Sequence, residues 1–370
     1  MKIALLVPAM DLGGVEQGTF DLARGFQKLG HRVLIISGPG RFTPLLQQNG
    51  IRWYPVPMER KNPFNFCRAL GKIKRIFSEE KPDIIHSRSR FPAWLANFAA
   101  GSCAGHLVTS IHGFHHNRLY SRIMGRGERV IVVSEGLKDY AVKVLRTNPE
   151  RVRVVYNGFD FTPFLNPSPS LFPEEKKVRY EGEKIIIGAV GRLTNVQGFH
   201  YFLEAIALLK SEFPEIRGIL VGSGPEETAL KNLAANLGIK SKISFLKGKT
   251  EEYLASFDLM AVPNLNPEPK PGNGPFWSRR TGAEAQVAGI PVVTTMAGLS
   301  AGTFEIGAAN IFTAARDPLG LSRAIKYLIL HPDEGRELAE KAKKIALEQF
   351  SLAQMVNRTL SVYKELLTGS

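Results

Sequence analysis

The chain has 370 residues and a formal net charge of +14, and 44% of its residues are hydrophobic. The length exceeds one typical domain and the composition excludes a disordered or fibrous protein, so we expect two globular domains with buried cores. Two cysteines, Cys67 and Cys103, are too few for a disulfide framework, which favours a reducing compartment, the cytoplasm.

The positive charge lies mainly in the first half of the sequence. Residues 1–160 contain 24 Lys and Arg against 12 Asp and Glu. This balance favours an anionic membrane surface, a nucleic acid or an anionic acceptor as partner, although a solvated basic surface explains it equally well. Residues 91–117 contain no Lys, Arg, Asp or Glu, but Pro92, Asn97 and Gly101 interrupt them, so we predict no membrane-spanning helix.

Strands and helices alternate from the N-terminus. Residues 2–7 (KIALLV) predict a strand, and a glycine-bearing loop and an amphipathic helix follow. Further strands are predicted at HRVLIIS, IRWYPV, PDIIHSR, HLVTSIHG, RVIVVS and VRVVYNG. The helix NPFNFCRALGKIKRIFSEE is expected to bury Phe64, Leu70, Ile73 and Phe77. This alternation predicts a parallel sheet covered on both faces.

The alternation stops at a proline-rich, charged segment near residues 163–183 and resumes at KIIIGAVGRL. We therefore predict an α/β protein with two Rossmann-like, doubly wound parallel-sheet domains that face each other across a cleft. The domains are expected at residues 1–165 and 183–350. The last helix, in residues 351–370, is expected to pack back on the first domain.

Short strings along the whole chain resemble one family. They are GGVEQ with GHRV after it, IIHSRSRFPAW, SIHG, VIVVSEGLKDY, VRVVYNGFD, GAVGRL, LVGSGPE, ISFLKG, EAQVAGIPVV and VYKELL. In this order and spacing they resemble family 4 glycosyltransferases of the GT-B fold. The resemblance implies a nucleotide-diphosphate sugar as donor substrate, retention at the anomeric carbon, no cofactor and no metal. The chain has no D-x-D motif, and HSRSRFPAW is similar to members that build lipopolysaccharide or related envelope glycans.

Several first-domain residues are candidates for substrate contact. Gly13 and Gly14 lie between the first strand and its helix, where backbone amides bind a diphosphate, although an ordinary tight turn explains them too. His112 in SIHG matches the family residue beside the donor sugar, or it is a structural histidine. Four arginines are predicted on the acceptor side: Arg88, Arg90, Arg118 and Arg122. Arg118, Arg122 and Arg126 recur four positions apart and are expected to share one helical face.

Second-domain candidates follow the first two strands of that domain. The resemblance assigns Arg192 to the donor diphosphate, where a fixed cation offsets the charge of the leaving group. The family then has a lysine five positions on, but this chain has Gln197, which hydrogen-bonds a phosphate and supplies no charge. Gly222 and Gly224 are expected beside the base and ribose, and Lys247 is expected near the base.

The stretch from 261 to 305 departs most from the family. Glu284 matches the second glutamate of the E-x7-E pattern, which binds the ribose hydroxyls, but the first glutamate is replaced by Phe276. Glu268 is a candidate substitute carboxylate. Arg279 or Arg280 is a candidate replacement for the missing cation, and Thr281 completes the expected donor-binding set.

The resemblance therefore implies a retaining hexosyltransferase that acts on a cell-envelope glycan or glycolipid. We expect a cytoplasmic protein that contacts the inner face of the plasma membrane and has no nucleic-acid partner. One alternative is a non-catalytic family member that acts as a binding or scaffold subunit, because two donor positions are altered. Another is a GT-B sugar-nucleotide epimerase, which the missing acid–base carboxylates disfavour.

Overall fold

The computed structural model describes residues 1–11, 13–58, 62–115, 118–165, 184–265, 280–296 and 299–368. The chain divides into two units: residues 1–159 with 349–370 (unit 1), and residues 160–348 (unit 2). The division falls after Phe159, slightly before the expected boundary at residue 165. Each unit contains one sheet of seven strands.

The sheet of unit 1 is entirely parallel and has the strand order β3-β2-β1-β4-β5-β6-β7. Its strands are β1 (Lys2–Ala9), β2 (Arg32–Gly38), β3 (Arg52–Pro55), β4 (Ile84–Ser87), β5 (His106–Ile111), β6 (Arg129–Val132) and β7 (Val152–Val154). The connecting helices are α1 (Gly14–Lys28), α2 (Thr43–Gln48), α3 (Pro63–Glu80), α4 (Arg90–Ala99), α5 (Arg118–Ser121) and α6 (Glu135–Asp139).

The sheet of unit 2 has the order β10-β9-β8-β11-β12-β14-β13, and only the edge strand β13 is antiparallel to its neighbour. Its strands are β8 (Ile185–Val190), β9 (Ile216–Val221), β10 (Ile243–Leu246), β11 (Leu259–Val262), β12 (Val292–Thr295), β13 (Phe304–Ile306) and β14 (Ile311–Thr313). The helices are α7 (Thr162–Leu165), α8 (Phe199–Leu209), α9 (Glu227–Asn236), α10 (Thr250–Tyr253), α11 (Arg280–Val287), α12 (Pro318–Leu330) and α13 (Pro332–Phe350).

The apolar strands form because helices cover both faces of each sheet. The central strand β1 buries five consecutive residues, 3–7, which is typical of a parallel strand packed on both sides. Its two faces belong to separate clusters, one with Leu5 beside α1 and one with Leu6 beside α3 and α4. The predicted architecture of two doubly wound parallel-sheet units is confirmed.

The last helix, α14 (Leu352–Leu367), belongs to unit 1. Its Tyr363 side chain is fully buried, and the rings of Tyr363 and Phe26 of α1 lie 5.7 Å apart. Glu365 forms ion pairs of 2.8 Å with both Arg129 and Arg153, at the starts of β6 and β7. These contacts join the end of the sequence to the first sheet.

Two sequence expectations are wrong. Phe64 is 75% exposed, because it lies in the first turn of α3, which starts at Pro63, and this turn is not covered by the core. The arginines at 118, 122 and 126 do not share one helical face, because α5 is a single turn and a 3₁₀ helix over residues 122–125 follows it. A 3₁₀ helix repeats every three residues, so a spacing of four rotates around it. None of the described helices is both long and apolar enough to cross a membrane.

Candidate functional site

Topology places the unit 2 candidates at one edge of the sheet. Arg192 follows β8, Gly222 and Gly224 follow β9, and Lys247 follows β10, while α11 with Glu284 comes after β11. These four strands are parallel neighbours in the order β10-β9-β8-β11, so their carboxyl ends lie at the same edge. In open α/β sheets this edge is where ligands bind.

Three loops at this edge hold one another through backbone hydrogen bonds. Leu193 donates to the Ser223 carbonyl at 3.0 Å, and Leu265 donates to the Val196 carbonyl at 3.0 Å. A Cβ added at Gly222 would overlap the carbonyl oxygen of Gly191, so the two loops approach at a distance that only glycine allows. The loops after β8, β9 and β11 therefore form one backbone framework.

Arg192 lies on that framework with an exposed side chain. Gln197 is brought to the same turn: its amide lies 3.6 Å from the position of a Cβ at Gly191. The chain then enters α8 at Gly198, where φ is +70° and the N-terminus of the helix begins. The edge thus combines one cation, one amide and a helix start, which suits a phosphate group.

Glu284 is the buried carboxylate of this edge, with 3% of its surface exposed. Arg280 Nε lies 2.6 Å from Glu284 Oε1, one helical turn away. Burial raises the pKa of Glu284, and the hydrogen bond from Arg280, its charge and the hydroxyl of Thr250 partly offset this rise in pKa. Arg280 therefore compensates the charge of Glu284, and its role as a replacement for the missing cation stays a prediction.

Two further unit 2 candidates, Lys247 and Thr281, lie among the described residues. Lys247 is exposed and its Nζ lies 3.9 Å from Glu227 Oε2 in the first turn of α9. Thr281 is partly buried in the first turn of α11. Glu268, Phe276 and Arg279 lie outside the described residues.

The unit 1 candidates also follow neighbouring strands, β1, β4 and β5. Gly13 is the N-cap of α1 and Gly14 its first residue, and both are exposed. The Glu16 carboxylate folds back against Gly13, so close that a Cβ added at Gly13 would overlap Glu16 Oε2. A carboxylate at a helix N-terminus is stabilised by the helix dipole, and a diphosphate at this position would compete with it.

Arg88 and His112 lie close together behind that helix. Arg88 is buried, with 4% of its surface exposed. Partly buried His112 accepts or donates a 2.8 Å hydrogen bond between Nε2 and Ser110 Oγ. Burial, Arg88 and then His115 lower the pKa of His112 well below its usual value, so the imidazole is neutral at physiological pH.

The other acceptor-side arginines lie nearer the surface. The Arg90 guanidinium stacks over the ring of Tyr120 at 5.6 Å. Burial and the nearby Arg90 lower the pKa of His115. Arg118 is exposed, whereas Arg122 is partly buried and its Nε contacts no acceptor among the described residues.

Sequence analysis missed two residues that the structure joins. His86 Nδ1 and the Tyr363 hydroxyl lie 2.6 Å apart, although 277 positions separate them in the sequence. A polar histidine inside the apolar strand IIHS was an available signal, whereas nothing in the helix of Tyr363 pointed to its partner. Among the described residues, no three or more His, Cys, Asp or Glu side chains are grouped to hold a metal ion.

Comparisons with known proteins agree with this arrangement. The profile of Glycosyltransferase Family 4 matches residues 12–162, and that of Glycosyl transferases group 1 matches residues 172–345. An uncharacterized glycosyltransferase of Methanocaldococcus jannaschii is 26% identical over 98% of both chains. The N-acetyl-alpha-D-glucosaminyl L-malate synthase of Bacillus anthracis is 22% identical over 96% of this chain and 95% of its own.

Solved structures show the same fold. A glycosyltransferase from Rickettsia africae superposes with a TM-score of 0.82 at 25% identity, and covers 100% of this chain and 99% of its own. Anabaena HepE in complex with UDP gives a TM-score of 0.80 at 22% identity, over 99% and 100% of the two chains. The two profiles and the fold together show that this chain belongs to the family 4 glycosyltransferases of GT-B type.

Proposed function

We propose that this glycosyltransferase uses a nucleotide-diphosphate sugar as donor and retains the configuration of the anomeric carbon, without a metal ion. The observation that carries the proposal is the carboxyl edge of the second sheet, where Arg192 and the buried Glu284 follow neighbouring strands. Solved structures of Anabaena HepE with UDP or UDP-glucose support a donor of this kind.

The proposed reaction needs few protein groups. The bond between the anomeric carbon and the diphosphate oxygen breaks, and a bond to the acceptor oxygen forms on the same face of the sugar. The acceptor proton passes to the departing phosphate oxygen, so no strong general base is required. Arg192 and the backbone amides of the loop after β8 offset the negative charge that develops on the diphosphate, while Glu284 accepts hydrogen bonds from the ribose hydroxyls.

Proton NMR during slow donor hydrolysis tests the stereochemistry and the metal requirement. The protein is incubated with UDP-, GDP- and ADP-sugars in EDTA, and the first anomer released is recorded. Retention predicts that an α-linked donor releases the α-anomer first, at a rate that EDTA leaves unchanged. Release of the β-anomer first, or a rate that Mg²⁺ restores after EDTA, would contradict the mechanism.

We also propose an anionic glycan or glycolipid acceptor, reached at the inner face of the plasma membrane. Phe98 and Leu119 of unit 1 are 53% and 73% exposed. The Trp94 ring stacks between those of Phe98 and Tyr120. No Asp or Glu occurs between residues 84 and 127, whereas five arginines do. Aromatic side chains within a cationic surface suit an anionic bilayer.

Vesicle sedimentation tests this contact. We expect the protein to bind phosphatidylglycerol vesicles in a salt-sensitive manner and to bind phosphatidylcholine vesicles weakly. Phe98→Ser with Leu119→Ser should weaken binding at least tenfold, since each removes apolar contact area. Leu208→Ser is the control, because Leu208 is 54% exposed in unit 2. Equal binding of all variants would exclude this surface.

A non-catalytic binding subunit is the second candidate. It is favoured by Gln197, which lies at the Arg192 turn and supplies no charge where the resemblance implies a lysine. This alternative predicts that a nucleotide sugar binds but is neither hydrolysed nor transferred.

A further inference from the structure

Arg88 is a buried cation whose Nε has no hydrogen-bond partner in the part of the chain that the structure describes. Its side chain follows β4 and has 4% of its surface exposed. The Arg88 Nε is fully enclosed and has no hydrogen-bond partner among the described residues. Burial lowers the pKa of Arg88 to about 10, so the group still carries its charge at physiological pH. A buried guanidinium whose Nε–H lacks an acceptor is unfavourable in a folded protein.

The groups around Arg88 add a second unpaired donor. His86 is fully buried, and its Nδ1 lies 2.6 Å from the Tyr363 hydroxyl while its Nε2 has no partner. Burial and the charge of Arg88 lower the pKa of His86 well below its usual value, and burial raises the pKa of Tyr363, so both are neutral. When the Tyr363 hydroxyl donates to Nδ1, the proton of His86 lies on Nε2.

The helix that faces this cluster leaves room for the guanidinium. Arg88 Nη2 lies 3.2 Å from the position of a Cβ at Gly18 in α1, so a larger residue there would press on it. Glu16 and Asp21 of the same helix attract Arg88 electrostatically. They stabilise the cation, while its Nε keeps no hydrogen-bond partner among the described residues.

We propose that Arg88, assisted by His86 Nε2, binds a phosphate-type oxyanion of a substrate in unit 1. A guanidinium fork matches two oxygens of a phosphoryl group, and a neutral imidazole N–H adds a third bond without further charge. The oxyanion comes either from the diphosphate of the donor or from a phosphorylated acceptor. The identity of that source rests on the proposed function, whereas the oxyanion site does not.

Thermal unfolding with inorganic pyrophosphate, inorganic phosphate or UDP tests the site in the full chain. Arg88→Met removes the buried charge and keeps the volume, so we expect an unchanged or higher Tm and at least tenfold weaker binding of the oxyanion. The matched control is Arg153→Met, which breaks the ion pair with Glu365. It should lower the Tm and keep the ligand-induced rise.

The three ligands separate the two sources. Loss of UDP binding in Arg88→Met assigns the site to the donor diphosphate. Loss of phosphate and pyrophosphate binding with intact UDP binding assigns it to a phosphorylated acceptor. Oxyanion binding without any sugar transfer would keep the site and remove the proposed function.

Two results would overturn the proposal. One is an Arg88→Met variant that loses stability as Arg153→Met does and binds every oxyanion like the wild type. The other is a wild-type protein whose Tm none of the three ligands raises. If Arg88→Met does not fold, Arg88→Lys replaces it, because lysine keeps the charge but not the fork. It should bind the oxyanion more weakly at an unchanged Tm.

Discussion

Arg280 Nε lies 2.6 Å from Glu284 Oε1, so the first residue of α11 neutralises a carboxylate buried one turn later. Burial raises the pKa of Glu284, and the hydrogen bond and charge of Arg280 oppose this rise and favour the ionised form. An ionised carboxylate accepts two hydrogen bonds from vicinal hydroxyls, which a protonated one does less well. In the donor site proposed above, this pairing would favour the ionised Glu284 that accepts the ribose hydroxyls.

Removing Arg280 should destabilise the protein in a pH-dependent way. Because Arg280 is 57% exposed, we expect Arg280→Ala to lower the free energy of unfolding by about 1–3 kcal/mol at pH 8. A folded-state pKa raised above the unfolded value costs stability as pH rises through it, so the loss should shrink toward pH 5. Glu284→Gln in the same background should restore stability. An equal loss of unfolding free energy in Arg280→Ala and in the Arg280→Ala, Glu284→Gln double variant at every pH would contradict the pairing.

Replacing Gln197 by lysine should strengthen donor binding. The Gln197 amide lies beside the turn of Arg192, so a lysine there adds a second cation near the proposed diphosphate site. We expect Gln197→Lys to lower the Kd for UDP about tenfold, which is ~1.4 kcal/mol. Titration calorimetry at two salt concentrations measures it, and Leu208→Lys is the control for net charge. Unchanged affinity would remove this position from the diphosphate site.

The glycine at 222 should tolerate no side chain. A Cβ there would overlap the Gly191 carbonyl and separate the loops after β8 and β9, so we expect Gly222→Ala to cost about 2–4 kcal/mol of unfolding free energy. Gly71→Ala is the matched control, since Gly71 is exposed inside α3 with no atom within 4 Å of an added Cβ. It should stabilise unit 1 by about 0.5–1 kcal/mol. Urea unfolding distinguishes the two, and similar effects would refute the close approach.

The ion pairs of Glu365 should stabilise the protein above acidic pH. Burial alone would raise the pKa of Glu365, but hydrogen bonds from Arg153 and Arg129 outweigh it and lower the pKa. A lowered folded-state pKa adds stability above the unfolded pKa and loses it as pH falls through the folded one. We expect Glu365→Gln to cost about 1–2 kcal/mol at pH 7 and almost nothing near pH 3. Glu337→Gln, at an exposed site, should show no such difference.

The parallel strands could be predicted because the apolar composition that identifies each strand lies within the strand's own sequence. Residues 3–9 of β1 are apolar, and so is all of β8, since helices cover both faces of their sheets. The pair β13 and β14, with three residues in each strand, was not predicted. Its pairing depends on the edge of the sheet, not on any periodicity within the sequence.

The part of the candidate site that depends on backbone topology could be predicted from the sequence. Arg192 and Glu284 follow neighbouring parallel strands, so their common edge could be inferred from the order of elements. Side-chain partners were not predictable in the same way. His86 meets Tyr363 only because α14 returns to unit 1, and Arg280, which was expected beside the phosphate, contacts Glu284.

Donor binding through Glu284 is the central claim, and titration calorimetry of UDP-, GDP- and ADP-sugars without metal tests it most directly. The wild type is compared with Glu284→Ala and with the exposed control Glu337→Ala. We predict that one nucleotide sugar binds the wild type and Glu337→Ala equally and that Glu284→Ala weakens it at least a hundredfold, about 2.7 kcal/mol. Equal binding by all three proteins, or no binding of any nucleotide sugar, would contradict the assignment of the donor site.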